Sequence, residues 1–61
     1  MHPGVDFVFW PGDKVQNLLG ETGVVEVSAV VGRGIQQFLI AFAGEKESHW
    51  YFENELTQVE D

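Results

Sequence analysis

The chain of 61 residues contains no cysteine. That excludes a disulfide framework, a zinc site built on thiolates and a cysteine nucleophile. Basic residues are almost as scarce: Lys14, Arg33 and Lys46 stand against ten acids, for a formal net charge of −7. Nucleic-acid binding draws most of its affinity from Lys and Arg at phosphates, so three dispersed bases argue against a nucleic-acid partner. No stretch approaches the roughly 18 apolar residues of a membrane span, so no membrane partner is expected. The first ten residues, MHPGVDFVFW, lack the basic start and small-residue cleavage site of an export signal. With cysteine also absent, a cytoplasmic location is the expectation. No glycine-rich loop leads into a helical pattern, which removes the usual phosphate cradle.

What is present is hydrophobic and punctuated. Hydrophobic residues make up 44% of the chain, far too many for a disordered one. The acid surplus reads first as a solubility device for so apolar a chain, and second as a surface for a basic protein or peptide. A chain of this length makes one domain, burying only about 60% of the surface its unfolded form exposes. Without disulfides or metal, oligomerisation is the remaining common reinforcement.

Seven glycines separate short runs rich in Val, Ile and Phe, the signature of strands joined by tight turns. Residues 1–4 read as a loose leader, and Val5 to Trp10 as an irregular arm or edge strand. Pro11-Gly12-Asp13 signals a turn. Lys14–Leu19 reads as a first strand, Gly20-Glu21-Thr22-Gly23 as a turn in which either glycine supplies positive φ, and Gly23–Val31 as a second strand. Alternation there places Val25, Val27, Ala29 and Val31 on the core face. Gly32-Arg33-Gly34 is a hairpin loop. Ile35–Phe42 and Glu47–Phe52 follow as strands, then one helical turn over residues 53–56 and a closing strand, Thr57–Val59. Residues 1–11 form an N-terminal arm and 12–61 the domain proper. The fold class is all-β: a small antiparallel sheet of about five strands, of the kind that closes into a barrel to remove its edges.

Several segments carry a resemblance. Gly12-Asp13-Lys14-Val15 opens the first strand, and Gly20-Glu21-Thr22-Gly23-Val24-Val25 turns into the second. Phe38-Leu39-Ile40-Ala41-Phe42 forms the third, and Trp50-Tyr51 is followed by Glu55-Leu56 and Val59. In this order they resemble small SH3-like barrel domains of the KOW, Tudor and Mib/Herc2 kind. The KOW likeness implies contact with RNA or ribosomal proteins; the Tudor likeness implies an aromatic cage for methylated lysine or arginine. Phe7-Val8-Phe9, Gly12-Asp13-Lys14-Val15 and Ser48 to Leu56 also echo type II dihydrofolate reductase, a tiny barrel that assembles as a tetramer around one pore. That family carries Val-Gln-Ile-Tyr where this chain has His49-Trp50-Tyr51-Phe52, so its glutamine and tyrosine positions differ here.

The aromatic residues are the main candidates for function. Phe7, Phe9 and Trp10 lie near the start, and Trp50, Tyr51 and Phe52 are consecutive. With a period of two, consecutive strand residues face opposite sides. Either Trp50 and Phe52 enter the core while Tyr51 faces out beside His49, or the reverse register leaves Trp50 and Phe52 in need of cover. The arm folding back as aromatic core is one expectation. A homo-oligomer interface is another, and a groove for a cationic group is a third. The binding face named from sequence is Phe9, Trp10, His49, Trp50, Tyr51, Phe52, Glu53 and Glu55, with the acids as company for a cation.

Catalysis and metal binding find little support. Ser28 and Ser48 lack the pattern of an activated hydroxyl, and Ser48 faces opposite to its neighbour His49 in a strand. Glu45/Glu47 and Glu53/Glu55 are pairs that so acidic a composition produces unaided. His2 and His49 lie at opposite ends of the chain, a poor metal signal even with Glu47 or Glu53 nearby. No metal or cofactor is expected. The expected function is a non-enzymatic protein-interaction module, self-associating as a homodimer or larger through an aromatic face. The alternatives are an oligomeric pore-type enzyme resembling type II dihydrofolate reductase and a KOW-like nucleic-acid- or ribosome-associated domain.

Overall fold

The computed structural model describes residues 6–60; the leader 1–4, with Val5 and His2, lies outside the described residues. Among the described residues there are five strands: β1 (Lys14–Gln16), β2 (Thr22–Val31), β3 (Ile35–Phe42), β4 (His49–Phe52) and β5 (Thr57–Gln58). A single 3-10 turn, Glu53–Glu55, joins the last two. All pairings are antiparallel and form one sheet in the order β4-β3-β2-β1-β5. Among the described residues β4 and β5 do not pair with each other, so the sheet is open at its two ends.

Local chemistry explains the turns. Trp10–Asp13 closes with Asp13 N–H donating to the Trp10 carbonyl at 2.9 Å. Pro11 presets the first central residue, and Gly12 supplies φ +98° at the second, the arrangement of a type II turn. Asp13 returns the favour through its carboxylate, which accepts from Trp10 N–H at 2.9 Å. In the next turn Gly20 adopts positive φ and Gly23 does not.

Gly23 serves packing instead. It faces Phe42 across the β2–β3 ladder, and a Cβ there would stand 2.6 Å from Ile40 Cγ2 and 2.7 Å from the Ala41 carbonyl oxygen. The carbonyl is backbone and cannot swing aside. Gly23→Ala is therefore expected to cost about 1–3 kcal/mol through overpacking, read as a lower urea midpoint with an unchanged slope.

The core is built on the inner face of the sheet from Val15, Val25, Phe38, Ile40, Phe42 and Leu56. The N-terminal arm closes it: Phe9 is 4% exposed, with its ring edge-on to Phe38 at 5.1 Å between centroids. Phe7 packs on Phe38 from further out, at 6.5 Å. Gln36 ties the arm down, accepting from Val8 N–H at 2.9 Å and donating to the Asp6 carbonyl at 3.1 Å. Over residues 6–10 the arm has no regular strand structure, so side-chain amides replace a ladder.

One sequence expectation is corrected. Val27, Ala29 and Val31 do not face the core; their partners Leu39, Gln37 and Ile35 lie on the outer side. The cause is a register shift between Val25 and Val27 on β2. A bulge sets two residues against one on the partner strand and so exchanges the faces beyond it. Past the bulge Ser28 and Val30 share the side of Phe38 and Gln36, with Val30 beyond the core and 42% exposed. Ser28 is tolerated there because its hydroxyl donates to the Phe9 carbonyl at 2.9 Å, which pins arm to sheet.

Candidate functional site

The consecutive aromatics of β4 take the register that leaves Trp50 and Phe52 outside. Pairing sets Tyr51 against Phe38 and Trp50 against Leu39. Because Phe38 is buried, Tyr51 turns inward and packs edge-on to Phe42 at 6.0 Å. Trp50 and Phe52 consequently project from the outer face, 50% and 43% exposed.

They do not project alone. The ladders align Val27, Leu39 and Trp50 in one cross-strand row, with Val24 against Ala41 on one side and Gln37 against Phe52 on the other. Cross-strand neighbours on one face lie about 4.5–5.5 Å apart between Cβ atoms, so these side chains form one largely apolar surface in which Gln37 is the polar member. The bulge contributes directly, since it is what brings Val27 onto this face. At its margin Glu26 accepts a hydrogen bond from the Ser48 hydroxyl.

The residues named from sequence thus divide between two sides of the sheet. Trp50 and Phe52 lie together on the outer face. Phe9 is a correction: its side chain is core, closed over by the arm's own fold, and cannot meet a partner. Trp10 is half-buried on the arm side, edge-on to Phe7 at 5.0 Å, and with Phe7, Pro11 and Ser28 it lines a shallow apolar cleft. His49 is exposed and sits 3.2 Å from the Glu45 carboxylate, a surface contact of small energetic weight. Glu55 accepts from Phe52 N–H at 2.9 Å, which holds the 3-10 turn. Tyr51 and Glu55 share one hollow with Leu18 and Leu19, whereas Glu53 belongs to a separate one beside Ile35 and Phe52. Among the described residues no three His, Asp or Glu side chains are grouped to hold a metal ion. None of their helices is long and apolar enough to cross a membrane.

No protein-family model, curated protein or solved structure matches this chain. Besides the outer face, the sheet carries a second feature in the turn at Asn17–Glu21.

Sequence reasoning missed that turn. β1 stops at Gln16, short of Leu19, because Asn17 takes over the backbone bonding. Its side-chain oxygen accepts from Leu19 N–H at 3.1 Å and Glu21 N–H at 2.9 Å. Its amide donates to the Glu21 carboxylate at 2.8 Å and reaches the Tyr51 hydroxyl at 3.4 Å. Asn17 is buried, while Leu18 and Leu19 stand 80% and 85% exposed. Asn17→Ala is expected to cost about 1 kcal/mol, since the part-buried Leu19 and Glu21 N–H groups lose their acceptor. The check is faster amide exchange at Leu19 and Glu21 together with a lower thermal midpoint.

The apolar outer face has a readable signal in the sequence. In Ile35–Phe42 both alternating sets, Phe38/Ile40/Phe42 and Leu39/Ala41, are apolar. A strand apolar on both sides is one that expects cover on both.

Proposed function

We propose that this chain is a non-enzymatic protein-interaction module of the SH3-like type that self-associates through the outer face of its sheet. The observation that carries the reading is the Val27–Leu39–Trp50 row with Phe52 beside it, an apolar face led by two half-exposed aromatics. Aromatic residues are enriched at the centres of interfaces and dominate their energetics. The strand order and the 3-10 turn before β5 support the SH3-like assignment.

Size favours a second copy. A standard interface removes about 800 Å² from each partner, which is roughly a fifth of this chain's 4460 Å². For a domain whose own core is small, burial on that scale adds materially to stability. The net charge of −7 concentrates association on surfaces without acids, and the outer rows of β3 and β4 have none.

The test is spectroscopic. Trp10→Phe leaves Trp50 as the sole indole, so its emission reports the outer face. A blue shift on raising the protein from about 1 μM to about 1 mM, across the usual dimer range, is the expected result. Emission that stays that of a solvated indole throughout would overturn the reading.

A further inference from the structure

The hydrogen-bonding edge of β2 points to a second contact, distinct from the Trp50 face. β1 pairs with β2 only over Thr22–Val24. Next along, Val25 turns its N–H and C=O away from β3, to the Asp13 carbonyl and Gly12 N–H, at 2.9 Å each. Beyond Val25 no backbone partner occupies that side of β2 among the described residues. The strand continues to Val31, so Val27–Val31 is an edge within the middle of the strand order. Antiparallel alternation, reset by one residue at the bulge, directs the N–H and C=O of Ser28 and Val30 outward.

Exposed edges are normally blunted by charge, proline or brevity. This one has a bulge at its start and then none of those devices. From Val27 to Gly32 there is no charged residue and no proline. By contrast, β4 follows the acidic Glu45–Glu47 loop, and β5 lies between Glu55 and Glu60. In a chain this acidic, like charge keeps copies apart along those two edges and not along this one.

We propose that a second copy of this chain pairs with the Val27–Val31 edge of β2, antiparallel and about a two-fold axis at Ala29. That register places Ser28 opposite Val30 of the second copy, and the same pair recurs across the axis. The outward groups meet as hydrogen-bonded pairs, giving about four backbone bonds. Ala29 meets its own counterpart with little bulk, and Val27 meets Val31 on the outer face. Charge agrees with the register: Arg33, just past the strand end, comes beside Glu26 of the second copy, and the contact repeats by symmetry. The isologous register, the absence of charge within it and the opposite charges at its ends all select a copy of this chain over an unrelated strand.

The contact shares only Val27 with the Trp50 face, and its backbone groups are those of Ser28 and Val30, so the two are tested apart. Amide exchange is followed on the full, isotopically labelled chain across a concentration series. At high concentration the Ser28 and Val30 amides should slow at least about tenfold relative to dilute protein, while Ala29, bonded within the β2–β3 ladder, changes little. Arg33→Glu should remove that slowing, and combining it with Glu26→Arg should restore it. Three outcomes would overturn the edge pairing: no concentration dependence at Ser28 and Val30; full protection already in dilute protein, which places the cover within the chain; or a charge swap that fails to restore. Burial of Trp50 without protection of Ser28 and Val30 would sink the edge pairing and leave the outer-face reading standing.

Discussion

Phe38→Ala is expected to lower the stability of the fold by about 3–5 kcal/mol, in the range of buried phenylalanine truncations. Phe38 is fully buried at the centre of β3. It pairs with Ser28 on one side and Tyr51 on the other, and it is the ring against which both Phe9 and Phe7 pack. Truncation therefore opens a cavity and also releases the arm, which has no ladder of its own to hold it. A domain of this length has roughly 3–9 kcal/mol of stability in total, at the usual 0.05–0.15 kcal/mol per residue. The loss thus takes about a third of what is available at the least, and all of it at the lower end of that range. Urea titration followed by circular dichroism should find the variant largely unfolded, or with a midpoint near zero denaturant. A midpoint within experimental error of the parent would mean that the arm and sheet do not share one core. Phe9→Ala offers a graded comparison: it removes the covering ring while leaving the central one, and should cost less.

The second large effect belongs to association. Replacing Trp50 and Phe52 together by serine is expected to weaken self-association at least about 100-fold, since central interface aromatics commonly contribute 2 kcal/mol or more each. Both side chains project outward from β4, so their loss leaves the core intact. Monomer stability at high dilution should then be unchanged or slightly improved, as exposed aromatic surface is removed. That pairing of results separates an interface role from a structural one. A variant that dissociates and unfolds together would show these residues serving the fold. A variant that associates as the parent does would remove the outer face from the account.

Much of the fold was legible because its signals are local. Turn chemistry at Pro11-Gly12 and Gly32-Arg33-Gly34, and apolar alternation in Ile35–Phe42, place the strands to within one to three residues. What escaped is of a different kind. The bulge on β2 inserts one residue into the pairing, and nothing in Val-Glu-Val-Ser-Ala announces it; strict alternation then assigns Val27 and Val31 to the wrong face. Asn17 escaped because two leucines follow it, and an apolar pair reads as strand even where an asparagine side chain has captured the backbone. Phe9 was named for an interface since aromatic type alone does not tell which rings a folded-back arm will cover. The candidate site was half legible: Trp50 and Phe52 were singled out, but Val27 and Leu39, which give them a surface to belong to, depend on register.

The register also makes the bulge matter for function. Without it, Val27 would sit inward and the row through Leu39 and Trp50 would lose its β2 member. Without the bulge the outward backbone groups of the proposed edge would be those of Val27 and Ala29 in place of Ser28 and Val30. Deleting Glu26 would remove the extra residue and leave Val25 opposite Ile40 and Val27 opposite Leu39, so the faces of Val27–Val31 would be kept.

The most direct measurement is the molar mass of the intact chain by light scattering coupled to size exclusion, across a concentration range. The chain weighs 6.9 kDa. Self-association through the outer face calls for a mass that rises with concentration to at least twice that value, and that falls back when Trp50 and Phe52 are replaced. A mass of 6.9 kDa at every concentration would contradict it.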